Sequence, residues 1–285
     1  RQQGRCPARR IRSQLQAGTT ARSEVVAYLK YRPRARCPGS IFFGRRMLNF
    51  DQFRLLTFDC YGTLIDWETG IFSALRPILA AHGKTISDSE LLRLYSEFES
   101  QAEQGEFRPY RQVLESVVCR FGQGLGFRPS ESQVRSLPDS LPNWLPFPDT
   151  IPALRKLKAH FQLAIISNVD DDLFASTARR LDIPFDYVIT AQQAQAYKPS
   201  LQIFKLAQQR TGVVPGQWLH VGQSIYHDVI PAQSLGIKTV WVNRRSPRPG
   251  AGAAKTASAQ PDLEMPDLKS LAQLTSENRE LRTGS

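Results

Sequence analysis

Asp59 closes the apolar run Leu55-Leu56-Thr57-Phe58, and the turn-forming pair Gly62-Thr63 follows almost at once. A carboxylate at the C-terminal end of a buried strand in an open α/β sheet points into the crevice where ligands bind. Held there, it can act as a nucleophile and form an ester with its substrate. The competing structural reading is an aspartate that caps the turn made by Gly62 and Thr63. Ser167 and Asn168 end a second apolar run, Leu163-Ala164-Ile165-Ile166, and both can donate hydrogen bonds to a carboxylate or a leaving anion. Lys198 precedes Pro199 in a loop, and its charge lowers the pKa of nearby carboxylates and favours an ionised Asp59. Asp228 follows the run at 218–221, with His227 beside it as either a second base or a structural residue. The acidic run Asp170-Asp171-Asp172 sits where it would complement a helix dipole, and Asp170 can also face a pocket.

The elements that carry these residues alternate. Strand-like runs lie at 54–59, 161–167, 187–190, 218–221 and 239–242, and helical patterns fill 150–159, 171–181, 200–211 and 227–235 between them. Such alternation implies a parallel sheet with helices on both faces, so the expected fold class is α/β, doubly wound and Rossmann-like. Between the first strand and the rest, residues 68–148 carry apolar positions at spacings of three and four: Ile71, Leu75, Ile78, Leu79, then Leu91, Leu92, Tyr95, Phe98, then Val113, Leu114, Val117, Phe121. That is helix periodicity, broken at Gly83, Gly105, Pro109, Gly122 and Pro129. The organisation expected is an α/β core at 47–67 and 149–285, a helical insertion at 68–148 and a basic N-terminal segment at 1–46. Residues 244–260, rich in Pro, Gly, Ala and Ser, read as a flexible loop, followed by a short extended piece and a final helix over 261–274.

Four stretches together resemble the haloacid dehalogenase superfamily: Asp59-Cys60-Tyr61-Gly62-Thr63-Leu64, the run ending at Ser167-Asn168, Tyr197-Lys198-Pro199, and Val221-Gly222-Gln223-Ser224-Ile225-Tyr226-His227-Asp228. They occur in the family's order across roughly residues 53–274. The phosphatase branch of that family carries a second aspartate where this chain has Tyr61, so the first stretch is similar to the 2-haloacid dehalogenase (type II) branch. The resemblance implies a helical cap formed by 68–148, Asp59 as nucleophile, Lys198 in contact with Asp59 and Asp228, and Asp228 positioning or activating the hydrolytic water. It implies substrate contacts at Tyr61, Thr63, Ser167 and Asn168, with Ser167 holding a substrate carboxylate. It also implies an arginine from the cap, whose planar fork suits a carboxylate or halide. Arg93 is the expected residue, with Arg108 and Arg111 as rivals. The activity implied is displacement of halide from short 2-haloacids through an aspartyl ester, giving 2-hydroxy acids, with no cofactor and no metal site.

Tyrosine, with an ordinary pKa near ~10, is a poor proton donor at neutral pH, whereas halide leaves without a proton. Gln223 stands where the family's phosphatases keep another acid. The alternatives are a magnesium-dependent phosphatase of small phosphate esters, which would bring Mg2+ as cofactor, and a catalytically silent binding protein of the same fold. Phe204 stands where the dehalogenase pattern has a tyrosine, and Gln223-Ser224-Ile225 does not match that branch's serine and asparagine. These departures leave the substrate less defined than the chemistry.

The formal charge of +11 is confined to one end: residues 1–46 hold twelve Lys/Arg and one acid, Glu24, while the remaining 239 residues hold 25 of each sign. The body therefore carries no basic footprint for nucleic acid. Residues 1–46 allow three readings: an organelle transit peptide, a basic tail for nucleic acid or anionic lipid, or a stretch outside the mature protein, with Met47 a natural start for the domain. No run is apolar and long enough to span a membrane. A soluble, cytoplasmic protein acting on a small molecule is expected, with organellar import if 1–46 is native and a homodimer left open. Of four cysteines, none has metal-ligand spacing. Cys60, beside Asp59, reads as a small apolar residue more than as a reactive thiol.

Overall fold

The computed structural model describes residues 48–244, 253, 255 and 257–283. The basic segment 1–46 and most of the loop 244–260 lie outside the described residues. Leu48–Ser285 makes one compact unit.

Five short runs become the central strands: β1 (Leu55–Phe58), β2 (Gln162–Ser167), β3 (Tyr187–Thr190), β4 (Trp218–Gly222) and β5 (Lys238–Val242). β6 (Leu263–Met265) adds an edge. All neighbours pair in parallel, in the order β3-β2-β1-β4-β5-β6. Every residue of β1 and β4 is buried, as expected of strands covered on both faces. The chain runs outward from β1 through β2 to β3, then returns to place β4 on the other side of β1. The order of strands therefore reverses between β1 and β4, and Asp59 follows β1 at that reversal, where open α/β sheets leave a crevice.

Four helices intervene between β1 and β2 before the sheet resumes: α1 (Trp67–Ala81), α2 (Asp88–Ala102), α3 (Tyr110–Leu125) and α4 (Glu131–Ser140). Each start has a local cause. Asp66 accepts from Thr69 N–H, Ser87 from Glu90 N–H, and Ser130 with Gln133 forms a reciprocal capping box. α3 begins after Pro109, which has no capping side chain of its own. Asp170 supplies the cap from the core instead, its two oxygens accepting the N–H groups of Tyr110 (2.8 Å) and Arg111 (2.9 Å). The buried stripes Ile71/Leu75/Ile78/Leu79, Leu91/Leu92/Tyr95 and Val113/Leu114/Val117/Phe121 belong to the main apolar core. Ile65 bridges Pro146 antiparallel, and Asp66 N–H and Phe147 N–H donate to Leu145 and Leu64 carbonyls (2.9 and 3.0 Å), so the two ends of the inserted segment run side by side.

The rest alternates as the pattern predicts: α5 (Thr150–Lys158), α6 (Asp171–Leu181), α7 (Ala191–Ala194), α8 (Leu201–Thr211), α9 (Ile230–Ser234) and α10 (Leu268–Thr283). One difference is local. The helix expected over 227–235 opens as a single wide turn, Ile225–Val229, before α9, because Ser224 Oγ accepts His227 N–H at 3.1 Å and starts it early. Among the described residues, no helix is long and apolar enough to cross a membrane.

Candidate active site

The first turn after β1 builds the site. Asp59 N–H donates to Val221 O at 2.9 Å, which ties it to the end of β4. Gly62 then turns the chain at φ +91°, a backbone conformation that costs glycine little. The turn brings Thr63 back so that its hydroxyl donates to Asp59 Oδ2 at 2.7 Å. Thr63 Oγ1 in turn accepts Gln223 N–H at 2.9 Å. Gln223 thus joins the site through its backbone, which its side-chain type could not announce.

Lys198 comes from the loop after α7 and is 2% exposed. Its ammonium lies 2.7 Å from Asp59 Oδ1, 2.7 Å from Asp228 Oδ1 and 3.0 Å from the Ile166 carbonyl. Asn168 fixes the lysine backbone on both sides, accepting Lys198 N–H at 2.7 Å and donating to Lys198 O at 3.2 Å. Burial acts to lower the lysine's pKa, but Asp228 and Asp59 together raise it, so it stays charged. Burial raises the Asp59 carboxyl; Lys198 opposes the rise and Asp228 adds to it. Burial also works against a charged Asp228, yet Lys198 and His220 outweigh it and hold Asp228 below the usual carboxylate range.

His220 was not singled out in the sequence. It sits inside β4, where it reads as one polar residue in an apolar strand. Trp218 Nε1 donates to Thr57 Oγ1 (2.7 Å), Thr57 Oγ1 lies 2.8 Å from His220 Nδ1, and His220 Nε2 lies 3.2 Å from Asp228 Oδ1. An indole only donates, so the threonine oxygen accepts from Trp218, and a chain of hydrogen bonds runs from the indole through Thr57 and the imidazole to Asp228. Asp228 Oδ2 accepts Ser224 N–H at 3.1 Å. A Cβ on Gly222 would lie 2.5 Å from the Asp228 carboxyl, so only glycine leaves room for it.

A cavity of about 50 Å3 opens on these groups, lined by Asp59, Tyr61, Ser167, Asn168, Lys198, Gln223, Ser224, His227 and Asp228 from the core and by Trp67, Glu99, Glu103 and Tyr110 from the inserted helices. A larger cavity of about 350 Å3 shares Glu103, Lys198 and His227 with it. Tyr61 presents its ring, while its hydroxyl hydrogen-bonds Thr177 at 2.8 Å and burial pushes its pKa well up. Burial pushes His227 down to about 4, so its imidazole is neutral. The Cys60 thiol is also pushed well up, by burial and then by Asp59, which fits a packed thiol. Ser167 Oγ is buried and has no hydrogen-bond partner.

The structure corrects the expectation of a cap arginine. Arg93 lies on the outer face of α2, where Glu90 (2.8 Å) and Glu97 (3.0 Å) one turn away on either side satisfy its guanidinium. Arg108 donates to the Ala102 carbonyl, and Arg111 pairs with Asp139 and Asp172 at 2.9 Å each. None of the three lines the inner cavity; the inserted helices present Glu99 and Glu103 there instead. Phe204 lies away from the cavity, packed edge-on against His220 with ring centroids 5.0 Å apart.

Magnesium, which the fold family uses in its phosphatases, wants several hard oxygen ligands in tight octahedral geometry. Asp59 and Asp228 offer two carboxylates, each with Oδ1 already on the Lys198 ammonium, and Tyr61 and Gln223 stand where further acids would be. Among the described residues no group of three or more His, Cys, Asp or Glu side chains is placed to hold a metal ion. The donor set does not fit the ion.

The family model for haloacid dehalogenase-like hydrolases matches residues 53–236. The chain belongs to the haloacid dehalogenase-like hydrolase family. This hydrolase is 27% identical over 198 residues to the (S)-2-haloacid dehalogenase H-109 of Pseudomonas putida, covering 67% of this chain and 85% of that one. It is 26% identical to an (S)-2-haloacid dehalogenase of Pseudomonas fluorescens, covering 66% and 84%. The solved L-2-haloacid dehalogenase of Xanthobacter autotrophicus with chloropropionic acid covalently bound shares the fold at a TM-score of 0.66 and 20% identity, covering 79% of this chain and 98% of that one.

Proposed function

We propose that this hydrolase cleaves a carbon–halogen bond in short 2-halogenated acyl compounds, the class whose parent members are the 2-haloacids of its relatives. One Asp59 oxygen attacks the carbon bearing the halogen, a carbon–oxygen bond forms, and the halide leaves with the bonding pair. Water then adds to the ester carbonyl of Asp59, with Asp228 taking its proton and Lys198 holding both carboxylates in place. The products are a 2-hydroxy compound, halide and a proton, and Asp59 is regenerated. A single displacement at carbon inverts it.

The observation that carries this reading is the placement of Tyr61. Its hydroxyl is spent on Thr177 and its pKa is raised, so the position that would protonate a departing alkoxide offers no acid. Halide requires none. The relatives' names and the covalently bound chloropropionic acid of the Xanthobacter protein support the same chemistry. The residues assigned are Asp59 as nucleophile, Lys198 and Thr63 as its orienting partners, Asp228 as base, and Tyr61, Ser167 and Asn168 as substrate contacts.

The test is chloride release from 2-chloropropionate and 2-chloropropionamide in EDTA, with mass spectrometry of the peptide carrying Asp59 for the ester. Asp59→Asn should abolish both. Silence toward both compounds, together with magnesium-dependent phosphate release from small esters, would sink the proposal.

A further inference from the structure

The inner cavity has a polar end that does not suit a carboxylate. Glu99 and Glu103 project from α2 and the turn after it into the same space as Asp59 and Asp228. Glu99 is already served: the hydroxyls of Tyr110 and Tyr95 donate to its Oε1 at 2.5 and 2.9 Å. Glu103 is not. Among the described residues its one hydrogen bond is a 3.5 Å contact from Asn168 Nδ2, at the outer limit of such a bond. Burial, and then Glu99, push the Glu103 carboxyl well above its usual range, against Lys198, Asn168 and Lys255, and an N–H donated by a ligand would act on the same side as these three and favour its charged form. Across the cavity, Ser167 is 1% exposed and its hydroxyl has no partner. A buried hydroxyl left unpaired is costly, and a ligand that bonds to it removes that cost. Among the described residues, Lys198 is the one Lys or Arg that lines the inner cavity, and two carboxylates already hold it, while Lys255 lines the larger cavity on the far side of Glu103 and His227.

We infer that Glu103 and Ser167 form a specificity clamp for a primary carboxamide, so that the preferred substrate is a short 2-haloamide. A primary amide has an accepting oxygen on one side and an NH2 group with two N–H donors on the other. The Ser167 hydroxyl donates to the first, and the Glu103 carboxyl accepts from the second. A carboxylate presents two acceptors and would bring a further negative charge to a wall that already carries four acids. An ammonium has only donors and leaves the Ser167 proton unused. The reaction balances as before: 2-haloamide and water give 2-hydroxyamide, halide and a proton, and the amide bond is untouched.

The inference rests on the carbon–halogen reading, and a binding experiment separates the two. Propionate, propionamide and propylammonium carry no halogen and can be titrated calorimetrically into the full-length wild-type protein, Glu103→Gln and Ser167→Ala. Propionamide should bind wild type about tenfold more tightly than propionate, the scale of one hydrogen bond to a charged group. Glu103→Gln should bring that ratio close to one, and Ser167→Ala should weaken propionamide several-fold. Tighter binding of propionate or propylammonium by wild type, or an unchanged ratio in Glu103→Gln, overturns the clamp. Chloride release from 2-chloropropionamide faster than from 2-chloropropionate then follows. If propionamide is preferred and no chloride appears from either compound, the clamp stands and the Asp59 chemistry is wrong.

Discussion

Replacing Lys198 by Met keeps an unbranched chain of similar length and removes the ammonium shared by Asp59 and Asp228. Asp59 and Asp228 would remain buried, at 9% and 1% exposure, without a cation. Removing one partner of a buried ion pair costs about 3–5 kcal/mol, because the charge left behind is uncompensated. In a unit of this size, ~1 kcal/mol moves the melting temperature about 2–4 °C, so a fall of about 6–20 °C is expected near pH 7.5. The pH dependence identifies the cause. In the wild type, Lys198 and His220 hold the folded Asp228 below its unfolded value. Its contribution to stability is therefore complete above that unfolded value and is lost only as pH falls through the lower, folded one. In Lys198→Met the balance at Asp228 reverses, and Asp59, already raised, rises further. Burial and mutual repulsion raise both carboxyls above their unfolded values, so the folded state binds more protons and gains stability as pH falls. Urea unfolding of wild type and Lys198→Met at pH 7.5 and pH 5 measures this. The gap between them should shrink clearly at the lower pH. A gap below about 1 kcal/mol at pH 7.5, or one of equal size at both pH values, would refute the view that the lysine is the counter-charge of a buried pair. The same variant should release no halide.

Two other substitutions test separate parts of the structure. Thr57→Val keeps shape but leaves Trp218 Nε1 and His220 Nδ1 without a partner; about 1–3 kcal/mol of stability should be lost, and hydrolysis of the ester should slow more than its formation, read as a chloride burst that exceeds steady turnover. Arg93→Ala breaks only exposed helix pairs, so the urea midpoint should be nearly unchanged and chloride release should stay at the wild-type rate.

How much of this could be read from the chain depends on where a residue sits along a strand. Asp59, Ser167 and Asn168 were legible because a polar group at the end of an apolar run has few uses besides facing the crevice. Lys198 and Asp228 were legible as partners of Asp59 through the family resemblance of their stretches, and in the structure the Lys198 ammonium pairs with both carboxylates. The cap was legible as helices but not as a wall. A solvated glutamate and a cavity glutamate have the same letter, and the choice between them is made by how the four inserted helices pack. One signal was present and unused: Glu99 lies four residues after buried Tyr95 and three before buried Ala102, inside a stripe that should be apolar. Arg93 misled because a free guanidinium suits an anion, while the carboxylates three positions before and four after it on the same face already occupy it. Asp170 was read as belonging to α6 and in fact caps α3, a pairing across 60 residues that no local pattern encodes.

Arg244, just beyond β5, reaches back under the nucleophile's turn. Its Nε donates to the Thr63 carbonyl at 2.8 Å, its other nitrogens grip both oxygens of Asp149 at 2.9 and 3.2 Å, and its guanidinium lies 3.9 Å over the Phe147 ring. Asp149 also accepts the Leu268 N–H at the start of α10. One guanidinium therefore serves as a common rivet for the turn that aims Asp59, the return strand of the cap and the chain's last helix. The residue whose hydroxyl aims Asp59 is therefore held by its carbonyl to the same guanidinium that anchors the far end of the inserted segment, so a substitution at Arg244 would loosen the nucleophile's turn and the cavity's outer wall together.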